Sequence, residues 1–151
     1  EMFQRYLIQY HMGHSFYSDP RHNLVGFHVE NHIYGTMYYG FDPRYQDRVF
    51  AHEERELMRE APHSVMVLLR ASAETIAKRM EDDPQPYQTV QEGDISTVLE
   101  RFEASAIRRK FALDTTSAKV EETLSEFEAQ VHEYLTEADR LRILTKQALG
   151  G

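Results

Sequence analysis

The sequence predicts an α/β fold built on a parallel sheet, and three observations carry that expectation. Short β-rich runs near residues 24–29, 65–69 and 111–114 alternate with longer segments of helical periodicity. The run Val65-Met-Val-Leu-Leu69 is apolar without alternation, as in a strand covered on both faces. Strands that alternate with helices are joined by crossovers, which places them parallel in one sheet. The expected architecture is a partial three-layer sheet with flanking helices in a single domain over 1–151.

Along the chain, Phe3, Tyr6, Leu7 and Tyr10 predict a helix from Met2 to about Tyr17. Asp19-Pro20 ends it, and Leu24–Val29 reads as the first strand. Residues 33–39 continue as aromatic-rich helix or turn. Asp42-Pro43 opens a charged helix to about Glu60, with Val49, Phe50, Leu57 and Met58 turned inward. Ser64–Arg70 is the second strand. Ser72 is placed to cap the helix that follows, with Thr75 at its third position. Residues 81–93, with two prolines, form a polar, lid-like loop. Asp94 reads as the N-cap of a helix burying Ile95, Val98, Leu99, Phe102 and Ile107. Lys110–Asp114 is the third strand. A helix from about Lys119 to Leu135 carries Val120, Leu124, Phe127, Val131 and Leu135 on one face. Phe102 and Phe127, central to their stripes, are expected to be buried.

Composition narrows the function. A net charge of −8 opposes nucleic-acid binding, which draws its affinity from cations on phosphates, and it equally opposes anionic lipid. With no cysteine there is no disulfide framework, consistent with a cytoplasmic setting. No apolar run is long enough to span a bilayer as a helix. The chain opens at Glu1 inside an expected helix, which reads as a fragment of a longer frame.

Ligands of open parallel sheets bind beyond the carboxyl ends of the strands. On the predicted topology, residues 28–34, 70–72 and 114–117 converge on one rim, bringing together a histidine, carboxylates, a tyrosine, an arginine and hydroxyls. Five of the eight histidines fall in the first 32 residues, and His28 and His32 are neighbours whether on strand or helix. The pattern is not the H-E-x-x-H of zinc proteases, and no metal ligand set is assigned.

Several segments in order resemble one family. Val67-Leu-Leu-Arg-Ala-Ser-Ala-Glu-Thr-Ile-Ala-Lys-Arg-Met80, Asp94-Ile-Ser-Thr-Val-Leu-Glu-Arg-Phe102, Leu113-Asp-Thr-Thr116 and Glu121-Glu-Thr-Leu124 resemble the C-terminal half of thymidylate-kinase-like and deoxynucleoside-kinase-like P-loop proteins. Phe27-His-Val29 and Ile33-Tyr-Gly35 resemble the segment that carries the family's catalytic acid and part of its acceptor site. The resemblance, over roughly residues 24–136, implies a sheet of order 2-3-1-4-5 whose first two strands precede this sequence. It therefore implies a gap between the strands at 24–29 and 65–69. It implies phosphoryl transfer from ATP with Mg2+ to a nucleoside or nucleotide in the intact parent. No Gly-Lys pair occurs, so there is no phosphate-binding loop of the G-x-x-x-x-G-K-[ST] type, and the chain alone is expected to be inactive.

Residue by residue, the resemblance implies His28, Tyr34 and Arg70 as substrate contacts, and Glu30, just past the expected strand, is the nearest carboxylate able to act as the catalytic acid. It implies Arg79, Asp114 and Thr115 on the ATP side, with Arg79 stacking on the adenine. Two departures stand out: Val25-Gly26 replaces the Asp-Arg found before Phe-His in many relatives, and Glu81-Asp-Asp83 occupies a lid that elsewhere carries arginines. The partners implied are a nucleoside or nucleotide and no nucleic acid or membrane, with a homo-oligomer allowed. A nucleotide-binding relative without catalysis and a complete small interaction domain are the competing readings.

Overall fold

The structure, a computed structural model, describes residues 25–84 and 90–150. The helix expected over Met2–Tyr17, three of the histidines and the middle of the lid-like loop lie outside the described residues. Within them the chain is α/β: six α-helices and a two-stranded parallel sheet.

Helix α1 spans Phe27–Met37 and α2 spans Pro43–Glu60. Strand β1 is Met66–Arg70, followed by α3, Ala73–Asp82. A 3-10 turn at Glu92–Asp94 leads into α4, Ile95–Glu103, and then into strand β2, Lys110–Asp114. Helix α5, Val120–Val131, a 3-10 turn at His132–Tyr134 and helix α6, Glu137–Ala148, complete the order.

The strands pair in parallel over five residues, from Met66 opposite Lys110 to Arg70 opposite Asp114. The ladder runs one bond past each end: Met66 N–H donates to the Arg109 carbonyl at 2.9 Å, and Thr115 N–H to the Arg70 carbonyl at 2.7 Å. Both strands end at the same level, so the backbone after each emerges on one rim. Local signals behave as their chemistry requires. The Asp42 carboxylate accepts from Arg44 N–H at 2.9 Å while Pro43 occupies the first turn, where no N–H is needed. Ser72 Oγ accepts from Thr75 N–H at 3.1 Å and starts α3.

Of the strand expected over 24–29, residues 27–29 instead begin α1. Gly26 has φ +72°, a left-handed conformation that ends extended backbone. From there the Glu30 N–H bonds back to the Gly26 carbonyl at 3.2 Å, the first turn of a helix. Short apolar runs fit strand and helix alike. The decisive spacing is Val29 to Ile33, four residues apart and both buried. The expected three-stranded sheet therefore has two strands among the described residues, and the gap expected between the strands at 24–29 and 65–69 does not arise. Helix α1 packs on α2 and α4 instead.

Other boundaries shift for identifiable reasons. Helix α3 runs through Asp82, so the first residues of the lid-like loop are helical. Asp94 is the N-cap residue of α4 as expected, but its carboxylate makes no cap bond and accepts from Tyr38 Oη at 2.8 Å and from Gln91 N–H at 3.2 Å. The buried positions of α2 are Gln46, Glu53 and Glu54, whereas Val49, Phe50, Leu57 and Met58 are half-buried. Phe102 and Phe127 are likewise half-buried rather than buried. The long helix expected to Leu135 tightens into a 3-10 turn after Val131, and α6 follows where no helix was expected. The buried apolar residues are Val29, Ile33, Ala71, Ile95, Ile107 and Leu113. No helix among the described residues is long and apolar enough to cross a membrane.

Candidate functional site at the strand ends

Four of the residues singled out from the sequence meet where β1 and β2 end. Arg79, one turn from the end of α3, donates from Nη2 to the Thr115 carbonyl at 2.6 Å and from Nη1 to Thr115 Oγ1 at 3.1 Å. Thr115 Oγ1 donates to the Arg70 carbonyl at 3.0 Å, tying the end of β1 to the residue after β2. Ser72 N–H donates to Thr116 Oγ1 at 2.9 Å, a second tie between the two strand ends. The Asp114 carboxylate accepts from Thr116 N–H at 2.9 Å, and hydrogen bonding from Thr116 holds its carboxyl below the ordinary carboxylate range. The Arg70 guanidinium reaches back to Glu103 Oε1 at 3.1 Å.

This arrangement has a definite chemical character. Arg79 bonds to neutral oxygens of Thr115, and these leave its charge uncompensated. A guanidinium held flat by two bonds on one edge keeps its face free for a planar π-system. Asp114, Thr115 and Thr116 add a carboxylate and two hydroxyls. The ordinary role of such residues, turning the chain and starting a helix, is partly realised: Asp114 makes the Asx contact to Thr116, while at the start of α5 the Lys119 N–H donates to the Glu122 carboxylate at 2.8 Å.

His28, Glu30 and Tyr34 are placed elsewhere. The sequence reading put them at a strand end; the structure puts them on α1, because residues 27–37 are helical. His28 is buried, stacks on Phe50 with centroids 5.5 Å apart, and lies 3.6 Å from Glu54 Oε1 through Nε2. Glu30 folds its carboxylate back over Gly26, where an added Cβ would come within 1.8 Å of Oε2. Burial raises its pKa above the ordinary value. Tyr34 meets Tyr38 edge-on at 5.7 Å, and burial followed by the nearby Glu30 raises its hydroxyl pKa. His32 stacks on Phe50 at 4.5 Å and faces Asp47 at 3.5 Å, with burial lowering its pKa. Among the described residues, no group of three or more His, Cys, Asp or Glu side chains is arranged to hold a metal ion.

Sequence reasoning missed the buried polar centre of the helical layer. Glu54 is 2% exposed and accepts from Ser105 Oγ and from Ala106 N–H, the latter at 2.8 Å. Burial pushes its carboxyl up, yet the nearby His28 imidazole and the hydrogen bonds from Ser105 and Ala106 hold it below its ordinary value. The available signal was spacing: Gln46, Phe50, Glu53, Glu54 and Leu57 fall on one helical face, so two carboxylates share it with the inward aromatic. Nothing local announces that Ser105, 51 positions on, completes the contact.

Comparison with models of known protein families, with curated proteins and with solved structures found no match.

Proposed function

We propose that this chain is the C-terminal part of a nucleoside- or nucleotide-kinase-like P-loop protein, and that its strand-end rim faces the ATP side of that parent's site. The observation that carries the reading is the docking of Arg79 on Thr115, with Asp114 beside it. Of the three residues to which the resemblance assigns ATP contacts, Arg79 is hydrogen-bonded to Thr115 across 36 positions of sequence, and Asp114 adjoins Thr115 in the chain. Beside it run two neighbouring parallel strands, as the last two strands of such a sheet do. In this reading Arg79 supplies a cationic face to the adenine, and Asp114 with its threonines lines the edge of the base. Mg2+ and the phosphates belong to the phosphate-binding loop, which this sequence lacks; the chain by itself binds nucleotide weakly and transfers nothing.

A second reading, a nucleotide-binding relative without catalysis, is favoured by Glu30. Its carboxylate is turned over Gly26 on α1 and is not carried at a strand end. The two readings share the Arg79 site. Fluorescence polarisation with a labelled ATP tests that site: weak binding to the chain, lost in Arg79→Ala, is expected. Equal signals for the two proteins would remove the basis of the proposal.

A further inference from the structure

Helix α6 is well formed yet packs little against the other described elements. Its N-terminus is closed by a reciprocal box in which Asp139 N–H donates to Thr136 Oγ1 at 3.2 Å and Thr136 N–H to the Asp139 carboxylate at 3.1 Å. Every residue from 140 to 150 is nevertheless exposed, and Leu141, Leu144 and Leu149 are 60%, 60% and 81% exposed. Isolated helices shorter than about 12–15 residues are marginal in water, and an amphipathic one this short draws its stability from packing. One exposed face carries Leu141, Thr145 and Leu149, bordered by Arg142 and Lys146. The helix carries three cations against two carboxylates in a chain of net charge −8.

The complementary surface lies on the preceding helix. In α5 the stripe of Val120, Leu124, Phe127 and Val131 is used at one end only. Phe127 meets Phe111 with centroids 6.1 Å apart, whereas Val120 is 79% and Leu124 54% exposed. At 100° per residue, Glu121 and Glu128 border the exposed stripe on the Leu124 side. Helix α5 holds four glutamates and no cation. One chain thus presents an apolar stripe with an acidic border and another with a basic border, on neighbouring helices of equal length.

We propose that a second copy of this chain covers both stripes. Helix α6 of each copy lies along α5 of the other, so that Arg142 and Lys146 face the partner's Glu121 and Glu128. The exchange is reciprocal, which is the self-complementary form that closes a twofold dimer. Charge complementarity selects a copy of this chain over an anionic lipid surface, which the four glutamates of α5 would repel. Small interfaces of this kind are salt-sensitive, because their bordering charges are solvent-exposed.

The test uses the 151-residue chain and two charge-reversed variants, Glu121→Lys/Glu128→Lys and Arg142→Glu/Lys146→Glu, in sedimentation velocity at low salt. The unaltered chain should sediment as a dimer and each variant alone as a monomer with unchanged helical circular dichroism. The two variants mixed should form a heterodimer, since both contacts regain opposite charges. A chain that stays monomeric at high micromolar concentration overturns the proposal. So does a dimer indifferent to the reversals, a mixture that stays monomeric, or a monomer that instead floats with anionic vesicles.

Discussion

The strand-end rim and the helical layer of α1, α2 and α4 hold similar polar residues in opposite environments. At the rim, Arg79 bonds to Thr115 and Asp114 to Thr116 at the surface, and water can take over any of those bonds. In the helical layer, Glu54, Ser105 and His28 are buried, and no bond there has a substitute. A hydrogen bond exposed to water contributes little net stability, whereas an orphaned buried partner costs its full desolvation. Substitution at the rim is therefore expected to cost little stability, and substitution in the helical layer much more. His28 and Glu30, expected at a strand end, lie on α1 in the structure, His28 buried and Glu30 half-buried.

The contrast is open to breaking by substitution. Ile33 and Leu113 are the largest fully buried side chains, one in each region. Truncation of either to Ala should cost roughly 2–5 kcal/mol in urea unfolding. Comparable losses would show that the two regions unfold as one unit. Glu54→Ala should cost about 2–4 kcal/mol, because it strands Ser105 Oγ and Ala106 N–H in the interior. A loss below about 1 kcal/mol would mean that water reaches them. Folding lowers the Glu54 carboxyl from an ordinary value of 4.5. Its contribution is accordingly present above that value and lost as pH falls through the folded value.

Tyr38 joins the end of α1 to the start of α4 through Asp94, and burial together with that hydrogen bond pushes its pKa up to about 12. A raised folded value means that the stabilisation is complete below the ordinary value of 10.0 and is lost as pH rises from there towards 12. Tyr38→Phe should cost about 1–2 kcal/mol at neutral pH and abolish that alkaline limb. An unchanged alkaline limb in the variant would assign it to another group. Arg79→Ala should be the mildest, within about 0.5 kcal/mol of the unaltered chain, since its partners are at the surface. A destabilisation several times larger would make Arg79 a structural strut and not a ligand contact.

How much was legible follows from the range of each interaction. Strand β2 and the starts of α2 and α3 at Pro43 and Ala73 depend on near neighbours in sequence, and the parallel pairing of β2 with β1 follows from the alternation of strands with helices. The run around Val25 was ambiguous by length, and Gly26 in a left-handed conformation decided it for helix. Helix α6 carried a local signal in Thr136 and Asp139, but its leucines face no core, so no buried stripe marked it. The rim cluster was half legible. Arg70, Arg79, Asp114 and Thr115 were named from the strand ends, whereas His28, Glu30 and Tyr34 were carried to the wrong place by the misread strand.

The central claim is that the rim, and not α1, receives a nucleotide. Amide chemical-shift mapping of the isotope-labelled chain titrated with ATP tests it most directly, with Arg79→Ala as the control. The account predicts saturable shifts at Arg70, Ser72, Arg79 and Asp114–Thr116, none at His28, Glu30 and Tyr34, and loss of the response in the variant. Shifts centred on α1, or none at the rim at millimolar ATP, would contradict it.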